Sequence, residues 1–170
     1  MSGLDQFLSA ERILLDLEVE TPEDVLAELG RLLGGNDPAA REEVREALAA
    51  RERVSTTGIG SGVAFPHARV GFLNTTRLAF IRTTKPIEFK AMDGKGVDLF
   101  AGVAAPIQSR REHLAVLSKL AYLFRSEAVR RRFREVQSAA EIVELLREGS
   151  SSVQAPSGVD DPLTRIDGSG

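Results

Sequence analysis

The chain has 170 residues, a net charge of −3 and no cysteine. That length suits one domain of about 150 residues with a sizeable core. The missing thiols exclude disulfides, thiolate metal sites and a cysteine nucleophile, and fit a reducing, cytoplasmic setting. The mildly acidic balance argues against a dedicated nucleic-acid binder, and no apolar run approaches the ~20 residues of a membrane span. The first residues, M-S-G-L-D-Q-F-L-S, have neither the basic start nor the apolar stretch of a secretory signal.

Ile13 to Leu17 reads as a strand or irregular lead-in. Thr21-Pro22-Glu23-Asp24 is a helix start, with Thr21 as N-cap and Pro22 in the first helical position. Val25, Leu26, Leu29, Leu32 and Leu33 follow at helical spacing, and Gly34-Gly35 closes the helix. Asp37-Pro38 opens a second helix, predicted to reach Glu52. The stretch Ser55 to Arg69 then reads S-T-T-G-I-G-S-G-V-A-F-P-H-A-R. It predicts a tight glycine turn, a short strand and a rigid corner at Pro66 that presents His67.

Val70 to Thr76 reads as a loop and Leu78 to Ile81 as a short strand, interrupted at Lys85-Pro86 before a further extended piece over Ile87 to Phe89. Asp93-Gly94 is a turn signal. Val97 to Ala105 is apolar almost throughout, the pattern of a central strand buried on both faces. Ser109 and Glu112 have capping-box spacing, with Leu114, Leu117, Leu120, Ala121 and Phe124 as the expected buried face of the third helix. A short basic helix over Ser126 to Val136 follows, and a second capping box, Ser138 with Glu141, opens a last helix to about Glu148. From Gly149 the chain is rich in Ser, Gly, Asp and Pro and reads as a flexible tail. Strands alternating with helices indicate an α/β domain whose mostly parallel or mixed sheet is covered by helices.

The chemistry centres on the two histidines, His67 and His113. One lies at the end of the glycine-rich strand, the other in the first turn of the helix after the central strand, and α/β sites form at such strand ends beside helix N-termini. Imidazole is a nucleophile near neutral pH without a large pKa shift. The surroundings suit an anion. The glycine turn offers backbone N–H groups, those of Gly60 and Ser61 among them, while Ser55, Thr56 and Thr57 offer hydroxyls. Arg51, Arg53 and Arg69 are near in sequence and suited to grip phosphate oxygens. The collection points to a histidine that takes up and gives away a phosphoryl group. No Gly-Lys-Ser/Thr follows the glycines, so this is not a P-loop, and a strand follows where a dinucleotide fingerprint needs a helix. H-E-x-x-H spacing is absent, and no metal or cofactor is expected.

The segment I-G-S-G-V-A-F-P-H-A-R resembles the active-site segment of type-2 IIA domains of the bacterial phosphotransferase system, the fructose/mannitol class with its nitrogen-regulatory branch. L-A-A-R-E-R-V-S-T-T-G-I-G upstream also fits, with Arg51 at the family's arginine position, and E-H-L-A-V-L-S-K-L-A fits its second histidine at His113. The resemblance covers about residues 4–148, so the expected domain is 1–148 with a tail over 149–170. It implies an α/β fold with a mixed five-stranded sheet between helices. It also implies that His67 is phosphorylated by an HPr-like carrier and donates to a partner, a IIB cysteine or a regulatory target, with His113 and Arg51 orienting and neutralising the phosphoryl group. Ser55, Thr57, Gly60, Ser61 and Arg69 are the further candidate phosphate contacts. The neutral Ser61, where mannitol-type members carry an acidic residue, resembles the nitrogen-regulatory branch. Carrier, regulatory switch and a fold without transfer all stay open. Two further features have two readings each. Arg110, Arg111, Arg125, Arg130, Arg131, Arg132 and Arg134 form either a solvated basic face or a docking surface for an acidic partner. Phe65 and Phe72 are either core or an apolar rim to His67.

Overall fold

The computed structural model describes residues 3–152. Two 3₁₀ turns, Leu4–Phe7 and Ala10–Arg12, lead into strand β1 (Ile13–Leu17). Helices α1 (Pro22–Gly34) and α2 (Pro38–Val54) follow, then β2 (Gly58–Gly60), β3 (Val63–Ala64), β4 (His67–Val70), β5 (Arg77–Ile87) and β6 (Val97–Pro106), and finally α3 (Arg110–Leu123), α4 (Glu127–Glu135) and α5 (Ala139–Ser152).

The strands form one mixed sheet in the order β1-β5-β6-β3-β2, with β4 also pairing β6. β1 runs parallel to β5, β5 antiparallel to β6, and β2 antiparallel to β3. β3 and β4 lie end to end along the same side of β6, at Leu99 and Phe100 and then from Val103 to Pro106. Six strand segments therefore occupy five lanes. The break falls at Pro66, which has no N–H to donate to a ladder.

Alternation along β5 and β6 builds two cores. Ala79, Ile81, Phe100 and Ala104 pack with α1 and α2 residues such as Leu29, Leu33 and Val44. Leu78, Phe80, Leu99, Ala101 and Val103 pack with Leu120, Phe124, Phe133 and Ile142 on the other side. β6 is thus buried on both faces, as its apolar run predicts. At Gly102 an added Cβ would come within 2.7 Å of Leu29 Cδ2, so a larger residue there would force the buried Leu29 side chain to shift.

The local signals for helix starts are met at three of four places. Thr21 and Asp24 form a reciprocal capping box, Asp37 accepts from Ala39 N at 3.0 Å, and Ser138 and Glu141 form the second box. Ser109 is the exception. Its backbone (φ −98°, ψ 47°) is not the extended conformation of a cap, and its hydroxyl caps nothing. Glu112, the expected partner, instead accepts from the Thr76 hydroxyl at 2.5 Å. α3 is also rotated from the expected face: it buries His113, Val116, Leu120 and Leu123 and leaves Leu114 54% exposed.

Other boundaries differ too. Pro86 lies inside one continuous β5 rather than between two pieces, in the stretch between Arg82 and Ile87 where the register to β6 shifts and no ladder N–H is required of it. β4 carries extended chain past the corner at Pro66 as far as Val70, the first residue of the expected loop. α2 extends to Val54 and α5 to Ser152, past the ends expected near Glu52 and Glu148. The rest of the expected tail lies outside the described residues. Phe65 is core, in ring contact with Phe124, whereas Phe72 is 37% exposed and away from His67's cavity.

Candidate functional site

The site is built where β4 begins. Pro66 holds Phe65 in extended geometry, and the Pro66 carbonyl accepts from Val103 N at 2.9 Å, tying the corner to the central strand. His67, the first residue of β4, lies beside Val103 and is half-buried. Its Nδ1 is 2.8 Å from the Phe65 carbonyl oxygen. A carbonyl can only accept, so Nδ1 carries the proton and Nε2 keeps its lone pair. Arg51 Nε donates to that Nε2 at 3.2 Å. Burial, reinforced by the Arg51 charge and opposed by the Phe65 hydrogen bond, holds the His67 pKa below its ordinary value. The ring is therefore neutral, with its lone pair directed at a cation.

Arg51 is in the last turn of α2 and is itself fixed: its Nη1 donates to the Ser55 carbonyl at 2.9 Å and to the Ser55 hydroxyl at 3.4 Å. His113, in the first turn of α3, meets His67 edge to face with centroids 5.3 Å apart. It is 5% exposed, and its Nδ1 has no hydrogen-bond partner among the described residues. Desolvation, with the neighbouring His67 and Arg69 adding to it, brings the His113 pKa down to about 4. Arg69, two residues along β4 from His67 and so on the same side of the strand, reaches the Ile107 carbonyl at 3.3 Å.

These side chains line a cavity of about 670 Å³ with Arg110, Ala47, Ile107, Leu114 and Leu117. Among the described residues, three guanidiniums and no carboxylate face it. Such a cavity favours an anion, and the exposed Ile107 and Leu114 at its edge give it an apolar rim.

Of the residues singled out in the sequence, Arg51, His67, Arg69 and His113 come together, and Ser55 acts on the group by holding Arg51. The others do not line the cavity. Thr57 is buried and turned toward Glu52, to which its hydroxyl donates at 2.5 Å and its N–H at 2.6 Å. Gly60 and Ser61 belong to the β2–β3 turn, where Gly60 (φ 99°), Ser61 (φ 58°) and Gly62 (φ 78°) all take left-handed conformations. Asp93 accepts from Ser61 N at 2.8 Å, and Arg134 donates to the Ser61 carbonyl at 2.9 Å. The Ser61 backbone N–H and carbonyl are thus used to hold the turn, and Thr57, Gly60 and Ser61 do not line the cavity. Arg110 was read in the sequence only as part of a basic face. Its position three residues before His113 places it on the same side of α3 and was the available signal.

A neutral imidazole with an unshared pair, set among arginines at the edge of an open α/β sheet, defines a protein that can take an anionic group onto nitrogen. Residues 6–149 match the model of the family described as the phosphoenolpyruvate-dependent sugar phosphotransferase system, EIIA 2, and the chain belongs to that family. It is 33% identical over 147 residues to a nitrogen regulatory protein of Bradyrhizobium diazoefficiens, covering 84% of this chain and 94% of the relative. It is 30% identical over 149 residues to the fructose-specific EIIABC component of Bacillus subtilis, covering 85% of this chain but 23% of that longer protein. Among solved structures, nitrogen regulatory protein IIA-Ntr from Neisseria meningitidis superposes with a TM-score of 0.80 at 38% identity, over 84% of this chain and 98% of the other. IIA mannitol from Escherichia coli superposes with a TM-score of 0.67 at 29% identity, over 82% and 98%. Among the described residues no helix is long and apolar enough to cross a membrane.

Proposed function

We propose that this protein is a histidine phosphocarrier that accepts a phosphoryl group on His67 Nε2 from an HPr-like carrier and serves in nitrogen-regulatory signalling. The observation that carries the reading is the His67 hydrogen-bond pattern: Nδ1–H is held by the Phe65 carbonyl, and Nε2 is left as the nucleophile in a cavity to which no described residue brings a carboxylate. In the transfer, the Nε2 lone pair attacks phosphorus. The phosphorus–nitrogen bond of the carrier's phosphohistidine breaks, and its electron pair returns to the carrier imidazole. His67 keeps its Nδ1 proton, so the positive charge on the phosphorylated ring is shared with the Phe65 carbonyl. Arg51 Nε–H moves its hydrogen bond from Nε2 to a phosphoryl oxygen, and Arg69 and Arg110 offset the remaining charge. Catalysis in this scheme is positioning and electrostatics. His113 remains neutral at pH 7, presenting a polar ring without adding a second proton source.

The nitrogen-regulatory assignment draws on the nitrogen regulatory relatives and on the neutral Ser61. A second reading, a sugar-branch IIA that hands phosphate to a IIB cysteine, is favoured by the fructose relative and by a solved complex of mannitol IIA with phosphorylated IIB from E. coli. Incubation with phosphoenolpyruvate, enzyme I and an HPr-like carrier is expected to yield an acid-labile, alkali-stable phosphoprotein. His67→Ala should take up no label; stoichiometric labelling of that variant would remove His67 from the role. Adding a cysteine-bearing IIB domain separates the branches, because loss of label to the thiol selects the sugar reading. Binding of another protein that depends on phosphorylation, without such transfer, selects the regulatory one.

A further inference from the structure

A second cavity, of about 600 Å³, opens where α1 ends and α2 begins. Four arginines line it, Arg12, Arg31, Arg41 and Arg77, against two carboxylates, Glu11 and Asp37. Asp37 is already used as the cap of α2. Arg31 pairs with Glu28 on the surface, but Arg12, Arg41 and Arg77 form no ion pair among the described residues. They are held instead by neutral carbonyls: Arg77 by Leu33 at 2.8 Å, Arg12 by Leu78 at 3.0 Å and Phe7 at 2.9 Å, and Arg41 by Gly35. Each guanidinium has five N–H donors, so donors remain after these contacts. Desolvation, and next the charge of Arg77, depress the Arg12 pKa, with the charge of Glu11 opposing them. Two partly buried cations are therefore kept near each other with no ion-paired carboxylate among the described residues, Glu11 acting on Arg12 only through its charge. The apolar part of the wall is Leu32, Ala40 and the half-open ring of Phe72, and Asn36 adds a neutral polar edge.

From this arrangement we infer a second anion site, separate from His67, that takes a small organic phosphomonoester. The phosphate dianion lies against Arg12 and Arg77, where guanidinium forks match its oxygens, and the planar or apolar part of the ligand lies on Phe72. The site touches α2 at Arg41, while the His67 cavity touches the same helix at Arg51. At 1.5 Å per residue the two lie about 15 Å apart along one rigid element, so the inference does not rest on phosphoryl transfer at His67.

The test is a titration of the full chain with inorganic phosphate and, separately, with AMP, following backbone amide shifts by NMR. Saturable shifts at Gly35, Asn36 and Phe72 are expected, fitting separately from any shifts around His67 and persisting in His67→Ala. Arg12 and Arg77 also brace the fold, so the deciding variants are exposed ones of opposite sign. Glu11→Gln should tighten phosphate about fivefold, and Asn36→Asp should weaken it about fivefold, the scale of one charge across a partly screened cavity. Phe72→Ala should weaken AMP and leave inorganic phosphate unchanged. Shifts confined to the surroundings of His67, or affinities at the α1–α2 junction that ignore both charge changes, would overturn the site. AMP binding indifferent to Phe72→Ala would overturn the organic part of the ligand.

Discussion

Replacing His113 by Gln gives the sharpest quantitative test of the site's electrostatics. In the folded protein the His113 pKa is about 4, against 6.5 for a free imidazole. Between those values the unfolded chain binds a proton that the folded chain excludes. Stability from this group is therefore complete above pH 6.5 and is lost as pH falls toward 4. A shift of that size amounts to about 3 kcal/mol in full. Over the window from pH 7.5 to pH 5.0 the linkage relation yields about 2 kcal/mol. His67 is depressed in the same direction, and Glu52, raised chiefly by burial, acts in the opposite one. The difference between wild type and variant isolates His113 from both. Urea unfolding of each at the two pH values is the assay: wild type should lose about 2 kcal/mol more than His113→Gln. Equal losses would mean that His113 keeps its ordinary pKa, and the desolvation assigned to it at the phosphoryl site would have to be abandoned.

The other predictions concern single contacts. Thr21→Ala should cost about 1 kcal/mol, because it removes a formed capping box, while Ser109→Ala should fall within a few tenths, because that hydroxyl caps nothing; denaturant midpoints compare them. Arg51→Lys keeps the charge but not the Nε–H aimed at His67 Nε2, so the rate of phosphate uptake should fall about tenfold or more at unchanged folding stability, measured by rapid-quench labelling. Ser61→Ala should leave uptake unchanged, since the residue's described contacts are backbone bonds to Asp93 and Arg134 in a turn outside the cavity; a slowed rate would restore Ser61 to the site.

Much of the fold was legible because its signals are local. A cap hydroxyl meets an N–H three residues away, and Gly35 at φ 74° ends α1 where the sequence has its glycine pair. The continuous apolar run of β6 needs no partner to be read. Ser109 failed because capping also requires extended backbone at that residue, and the chain leaving β6 enters α3 by a different turn, with Glu112 drawn to Thr76 from a distant loop. The leucines of α3 misled for a related reason: apolar residues mark a buried face only when a neighbour covers them, and Leu114 borders an open cavity. In the glycine stretch, adjacency in sequence does not make donors converge on one ligand. Asp93 and Arg134, remote in the chain, claim the turn instead.

From the sequence alone came the alternating α/β order, the helix starts at Thr21, Asp37 and Ser138, the buried central strand, and the choice of His67 as the residue around which an anion would gather. These depend on hydrogen bonds and periodicities spanning a few residues. Only the tertiary structure decided that His113 stacks edge-on against His67, that Arg51 faces Nε2 rather than solvent, and that four arginines from separate elements share a cavity at the opposite end of α2. Proton placement and pKa follow from desolvation and from charges brought together by strand register and helix packing, and those quantities do not exist until the chain is folded.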